Sequence, residues 1–163
     1  MVRRHREEGA TVVEMALALP LLLLVILGVV EFGRVIAIEN ELESASRDAA
    51  RYATSAGGTP AHFIDCDGIR NAARQRLTLS TLANSDIDIT YDDGTGAALV
   101  DTMGNVIDCQ GGTAPYEDVI ASEVRITVTV RSTISGITPV IGNFIGTPTL
   151  SSVDTRTVFR GPL

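Results

Sequence analysis

Cys66 and Cys109 are the only cysteines in the chain, and His5 and His62 the only histidines. A structural zinc site needs four ligands drawn mainly from those two residue types, so the set is poor for one. No serine or cysteine nucleophile pattern stands beside His62, and neither G-x-S-x-G nor H-E-x-x-H occurs. All 13 basic residues are arginine. Without lysine there is no Walker phosphate loop, no Schiff-base lysine and no lysine general base. Asp86, Asp88, Asp92, Asp93 and Asp101 gather oxygen donors of the kind calcium takes. They lack the EF-hand order, however, and aspartates around glycine are ordinary turn residues. A net charge of −7 and a pI near 4.7 argue against nucleic acid, which needs a basic footprint. From these residues no catalytic set, no metal and no cofactor is expected.

The remaining candidate chemistry lies where charge meets an apolar run. Met15 to Val30 carries no charge, and Val12 to Ile38 carries only Glu14, Glu31 and Arg34. A bilayer-spanning helix needs roughly 20 mostly apolar residues, so the run is long enough. A remainder of ~100 residues would hardly cover a helix that is apolar on every side. Arg3, Arg4 and Arg6 precede the run, which favours a cytoplasmic N-terminus and a far-side location for everything after Ile38. A removed secretory signal would end at a small-residue cleavage site. Here the run passes instead into Glu31-Phe32-Gly33-Arg34. Pro20 tends to kink a helix. Gly28 and Gly33 would admit a close helical neighbour, or are simply glycines of a membrane helix.

Glu14 stands at the mouth of the run, and a carboxylate there needs a partner or water. If the chain were cut after Gly9, the new α-amino group of Ala10 would lie one helical turn from Glu14. That cation, on the same chain or a neighbour, would neutralise the carboxylate. The other reading leaves Glu14 solvated among lipid head groups.

Past Ile38 the helix continues as a polar, amphipathic segment. Leu42, Ala45, Ala49 and Tyr52 or Ala53 recur at three- and four-residue steps, and Glu43 and Arg47 stand four apart. Gly57-Gly58-Thr59-Pro60 supplies the stop. From Ala10 to Ala56 the rod would measure about 70 Å. The chain thus divides into a basic flank at 1–9 (a leader, on the resemblance given below), a membrane half at 10–38, an amphipathic half at 39–56 and an exported domain at 57–163. The domain is predicted as α+β, a small and mainly antiparallel sheet laid on the far half of the long helix. Its elements are a helix over Ile69–Leu77 capped by Asp65 or Asp67, strands over Asp86–Tyr91 and Glu123–Arg131, and a bulged strand over Leu150–Phe159. Arg70, Arg74 and Arg76 read as a solvated face. Ile137, Val140, Ile141, Phe144 and Ile145 read as a short apolar helix under the sheet, or as an apolar surface for a partner or the membrane. Two thiols outside the cytoplasm most simply form one disulfide, Cys66–Cys109, and no Cys-x-x-Cys spacing suggests a redox pair.

Three stretches carry a family likeness: Gly9-Ala10-Thr11-Val12-Val13-Glu14 with the run behind it, Glu31-Phe32-Gly33-Arg34, and Ala45-Ser46-Arg47-Asp48-Ala49-Ala50-Arg51-Tyr52-Ala53. Together they resemble the TadE-like proteins, minor pilins or pseudopilins of the tight-adherence (Tad/Flp) pilus apparatus. The resemblance implies processing by prepilin peptidase between Gly9 and Ala10. It also implies pairing of Glu14 with an amino terminus, and partners that are other pilins or pseudopilins in the lipid bilayer. The function it implies is to join or prime pilus assembly as a structural protein, not an enzyme. The alternative is a single-pass, membrane-anchored envelope domain that binds a ligand and has no filament role.

Overall fold

The computed structural model describes residues 4–55, 61–116, 123–134, 136 and 146–158, with side chains from residue 9 onward. In chain order these form α1 (Arg4–Thr54), α2 (Cys66–Arg74), β1 (Ile87–Asp92), β2 (Arg125–Thr133) and β3 (Thr149–Thr157), with short 3-10 turns at His62–Ile64 and Asn84–Asp86. They fall into two compact units, Met1–Ile36 with Ser135–Thr147, and Ala37–Ile134 with Pro148–Leu163. The expected helix stop at Gly57–Pro60 and the apolar helix at 137–145 lie outside the described residues.

In the first unit α1 passes Pro20 unbroken. Every residue from Gly9 to Leu27 is exposed, Leu17 at 74% and Val12 at 68%. Glu31 is buried and pairs with Arg34 at 3.2 Å, three residues on along the same face.

The second unit is an α+β body. Ile38, Leu42, Ala45, Ala49 and Ala53 are buried at helical spacing on α1, with Ser46 and Ala50 beside them. The sheet has the order β1-β2-β3 and is antiparallel throughout. Its register sets Ile87 against Val130, Ile89 against Val128 and Tyr91 against Ile126. These six are fully buried and supply one apolar face, as two-residue periodicity requires. Ser46 Oγ lies 2.9 Å from Ser152 Oγ, joining α1 to β3. A run of alanines on the helix permits this close approach, because no larger side chain has to be accommodated.

Several expectations shift. β3 carries no bulge: nine consecutive pairs run from Arg125↔Thr157 to Thr133↔Thr149. Its alternation looked irregular because its inward positions, Ser152, Asp154 and Arg156, are polar residues at the flank of the sheet. β2 starts at Arg125, not Glu123. Glu123 adopts a left-handed φ of 78° and turns the chain into the strand. The second helix begins at Cys66, with Asp65 as its cap accepting from Gly68 N at 2.9 Å, and ends at Arg74. Gly68 is needed there, since a Cβ would sit 2.1 Å from an Asp65 carboxylate oxygen and 2.5 Å from the Tyr52 hydroxyl.

Candidate functional site

What holds α1 to the sheet unit is a set of polar clamps along its far half. The Glu41 carboxylate accepts hydrogen bonds from Thr78 N and Leu79 N, each at 3.1 Å, and from the Thr78 hydroxyl. Partial burial pushes the Glu41 carboxyl up, but the Thr78 hydroxyl and the backbone amides of Leu79, Thr78 and Ser80 outweigh it and hold it below its ordinary value. Asp48 pairs with Arg76 at 2.5 Å. The Tyr52 hydroxyl donates to Asp65 at 2.8 Å and its ring stacks on His62. Three carboxylates, Glu41 and Asp48 on the helix and Asp65 beside α2, therefore fix the helix to the segment from Asp65 to Leu79.

Of the three arginines read as a solvated face, Arg76 is exposed, whereas Arg70 and Arg74 are turned to backbone carbonyls. Arg70 is 8% exposed and donates to the Cys109 carbonyl. Arg74 donates to the Leu82 carbonyl at 3.1 Å. They are spent on carbonyls because the loops they face carry backbone acceptors that no strand satisfies. The aspartates are likewise used in turns and pairs. Asp86 caps Ala83 N at 2.8 Å, Asp92 pairs with Arg125 at 2.8 Å, and Asp88 faces Arg131 at 3.7 Å. Asp93, Asp101 and Asp108 each gather backbone amides of their own loop. The Thr113 hydroxyl, the Asn105 amide and backbone N–H groups hold the Asp101 carboxyl well below the usual carboxylate range. Among the described residues no cluster of three or more potential metal ligands occurs.

Cys66 and Cys109 form a disulfide across 43 residues. It ties the start of α2 to the 97–113 segment, which runs along the outer edge of β1. There Leu99 N donates to Tyr91 O at 3.0 Å and Cys109 N to Ile89 O at 3.2 Å. Tyr91, buried beneath, donates its hydroxyl to the Phe63 carbonyl at 2.7 Å, and burial pushes its phenol strongly up.

At the other end of α1, Gly9, Ala10 and Glu14 are all exposed on one continuous helix. A Cβ at Gly9, Gly28 or Gly33 would meet nothing within 4 Å among the described residues. The helix bounded by Gly9–Thr54 is long and apolar enough to cross a membrane. Reading residues one at a time missed Glu41, Tyr52 and Arg70, whose partners are distant in the chain.

These features define a class: an α+β protein carried on a long N-terminal helix whose first half is apolar on all sides. Residues 9–51 match the family model of the TadE-like proteins. That segment runs from Gly9 through Glu14 to the alanine face of α1. No curated protein and no solved structure matches the chain. The family match and the apolar helix fit a membrane protein associated with a tight-adherence pilus.

Proposed function

We propose that this protein is a minor pilin or pseudopilin that packs through α1 into a Tad-type pilus assembly, or primes one. In this reading prepilin peptidase removes residues 1–9, and the amino group of Ala10 meets Glu14 of its own or a neighbouring helix. The pairing neutralises a carboxylate that would otherwise cost roughly 2.5–3.5 kcal/mol at the centre of a membrane, less at its edge. Because the pair forms at one height only, it sets axial register between neighbouring helices. The N-terminus lies in the cytoplasm, and the α+β domain lies outside the cell membrane. The role is structural, with other pilins or pseudopilins of the apparatus and the lipid bilayer as partners.

The observation that carries the proposal is the coincidence of two facts on one segment. The family match starts at Gly9, and from there every large apolar side chain up to Leu27 is exposed. The test is Glu14→Ala in the producing cells. The variant is expected to reach the membrane at normal levels and to abolish piliation. Normal piliation would remove the charge-pairing mechanism.

A further inference from the structure

Glu14 and Glu31 bracket the uncharged part of α1, and the stretch between them is too short for a bilayer. Met15 to Val30 is 16 residues, about 24 Å of helix. The hydrocarbon layer is about 30 Å thick and takes roughly 20 residues. One of the two charged ends must therefore enter it. Either the span runs from Val12 to Val30 and carries Glu14, or it runs from Met15 to Ile36 and carries Glu31 with Arg34.

Only the second end is prepared for lipid. The Glu14 side chain is exposed. Glu31 is 5% exposed, and its carboxylate accepts from Arg34 Nη1 at 3.2 Å. Arg34 stands about one turn farther along the helix, and its side chain leans back toward Glu31 instead of extending away from the apolar run. The opposite flank of the same turns is apolar and exposed. Val29 and Phe32 are each 67% exposed and Ile36 42%, spaced three and four residues apart. A helix built for water puts its charges on the exposed flank and its phenylalanine on the covered one. Here the order is reversed.

We infer that Glu31 and Arg34 form an ion pair inside the membrane, on the side of α1 turned away from lipid. The bilayer then spans Met15 to Ile36, with Val29, Phe32 and Ile36 against the acyl chains, and Glu14 stays at the head-group boundary. A charge in hydrocarbon needs a partner, and each member of the pair supplies the other's. The pair thereby sets the depth of the helix: it admits lipid as far as Ile36 and so keeps Glu14 at the opposite edge. This inference rests on the membrane reading of α1 and adds where its two boundaries lie.

The chain contains no tryptophan, so single tryptophans can report depth. Val12→Trp, Val25→Trp and Phe32→Trp each replace an exposed residue. The full chain is reconstituted in phosphatidylcholine vesicles, and fluorescence is quenched by lipids brominated at set positions along the acyl chain. The reporter of Val25→Trp is expected at the bilayer centre, that of Phe32→Trp about 10 Å from it and that of Val12→Trp about 20 Å from it. With Glu14 drawn in instead, the last two become about 17 Å and about 14 Å. That order would overturn the inference and leave the membrane reading intact, whereas absent quenching of Val25→Trp would remove both. The pair itself is tested in the Phe32→Trp protein. Adding Arg34→Met withdraws the guanidinium from Glu31 and is expected to cut quenching by deeply brominated lipid at least about twofold. Adding Glu31→Gln to that protein is expected to restore the quenching, which a loss of folding would not allow. Unchanged quenching with Arg34→Met, or no recovery with Glu31→Gln, would overturn the role of the pair.

Discussion

The two halves of α1 belong to one unbroken helix and carry opposite surfaces. From Val12 to Leu27 every large apolar side chain is exposed, whereas Ala45, Ala49, Ala50 and Ala53 are at 0% exposure. Where the helix packs on its own protein it uses small residues, which let a sheet come close. The leucines and valines from Val12 to Leu27 stay exposed. An exposed apolar surface of that extent has no place in water. The first half is therefore built to meet something outside the chain, lipid or neighbouring helices, and the second to meet the chain itself.

Substitutions that respect this division should act on one half only. The largest effect is expected at the alanine face. Ala49→Arg places an uncompensated charge in a fully buried position and should cost about 5 kcal/mol or more, abolishing cooperative unfolding of the sheet unit. The matched change Ala18→Arg, on the exposed half, should leave that melting transition unchanged in detergent while impairing membrane insertion. Equal effects at the two sites would dissolve the distinction between the halves.

Next is the disulfide. Cys66→Ser opens a loop of 43 residues and should lower stability by up to about 4 kcal/mol on the chain-entropy account. The melting temperature should fall under oxidising conditions and lose its dependence on reductant. A smaller effect, about 1 kcal/mol, is expected for Glu41→Ala, which strips the 78–80 turn of its acceptor. Thermal denaturation followed by circular dichroism measures both.

The smallest effect is on pH dependence. Glu41, Asp93, Asp101 and Asp108 are all held below their ordinary values by hydrogen bonds in the folded state. The unfolded chain therefore binds more protons than the folded one as the medium is acidified. Their contribution is complete above the unfolded carboxylate value of about 4 and is lost as the pH falls through the lower folded values. Melting temperature should be insensitive to these groups between neutrality and pH about 5, and should decline below pH about 4.

The sequence makes some of this plain and hides the rest for a physical reason. The apolar run, the alanine spacing of α1 and the alternation of β2 are local periodicities, so a few residues reveal them. Two cysteines admit only one intramolecular pairing. Arg70 reads as solvated because its acceptor, the Cys109 carbonyl, lies 39 residues away. Glu41 reads as a surface residue because Thr78 lies 37 residues away. β3 reads as irregular because its inward side faces the flank of α1, where serine bonds to serine instead of packing apolar against apolar.

The central claim, that the exposed half of α1 serves an assembly after its leader is removed, meets its most direct test in the N-terminus of the protein extracted from membranes of cells with a working prepilin peptidase. Intact mass and N-terminal sequencing should find a chain beginning at Ala10. A mature protein that still begins at Met1 or Val2, with Arg3 and Arg4 in place, would contradict it and leave a membrane-anchored domain with no amino terminus for Glu14 to meet.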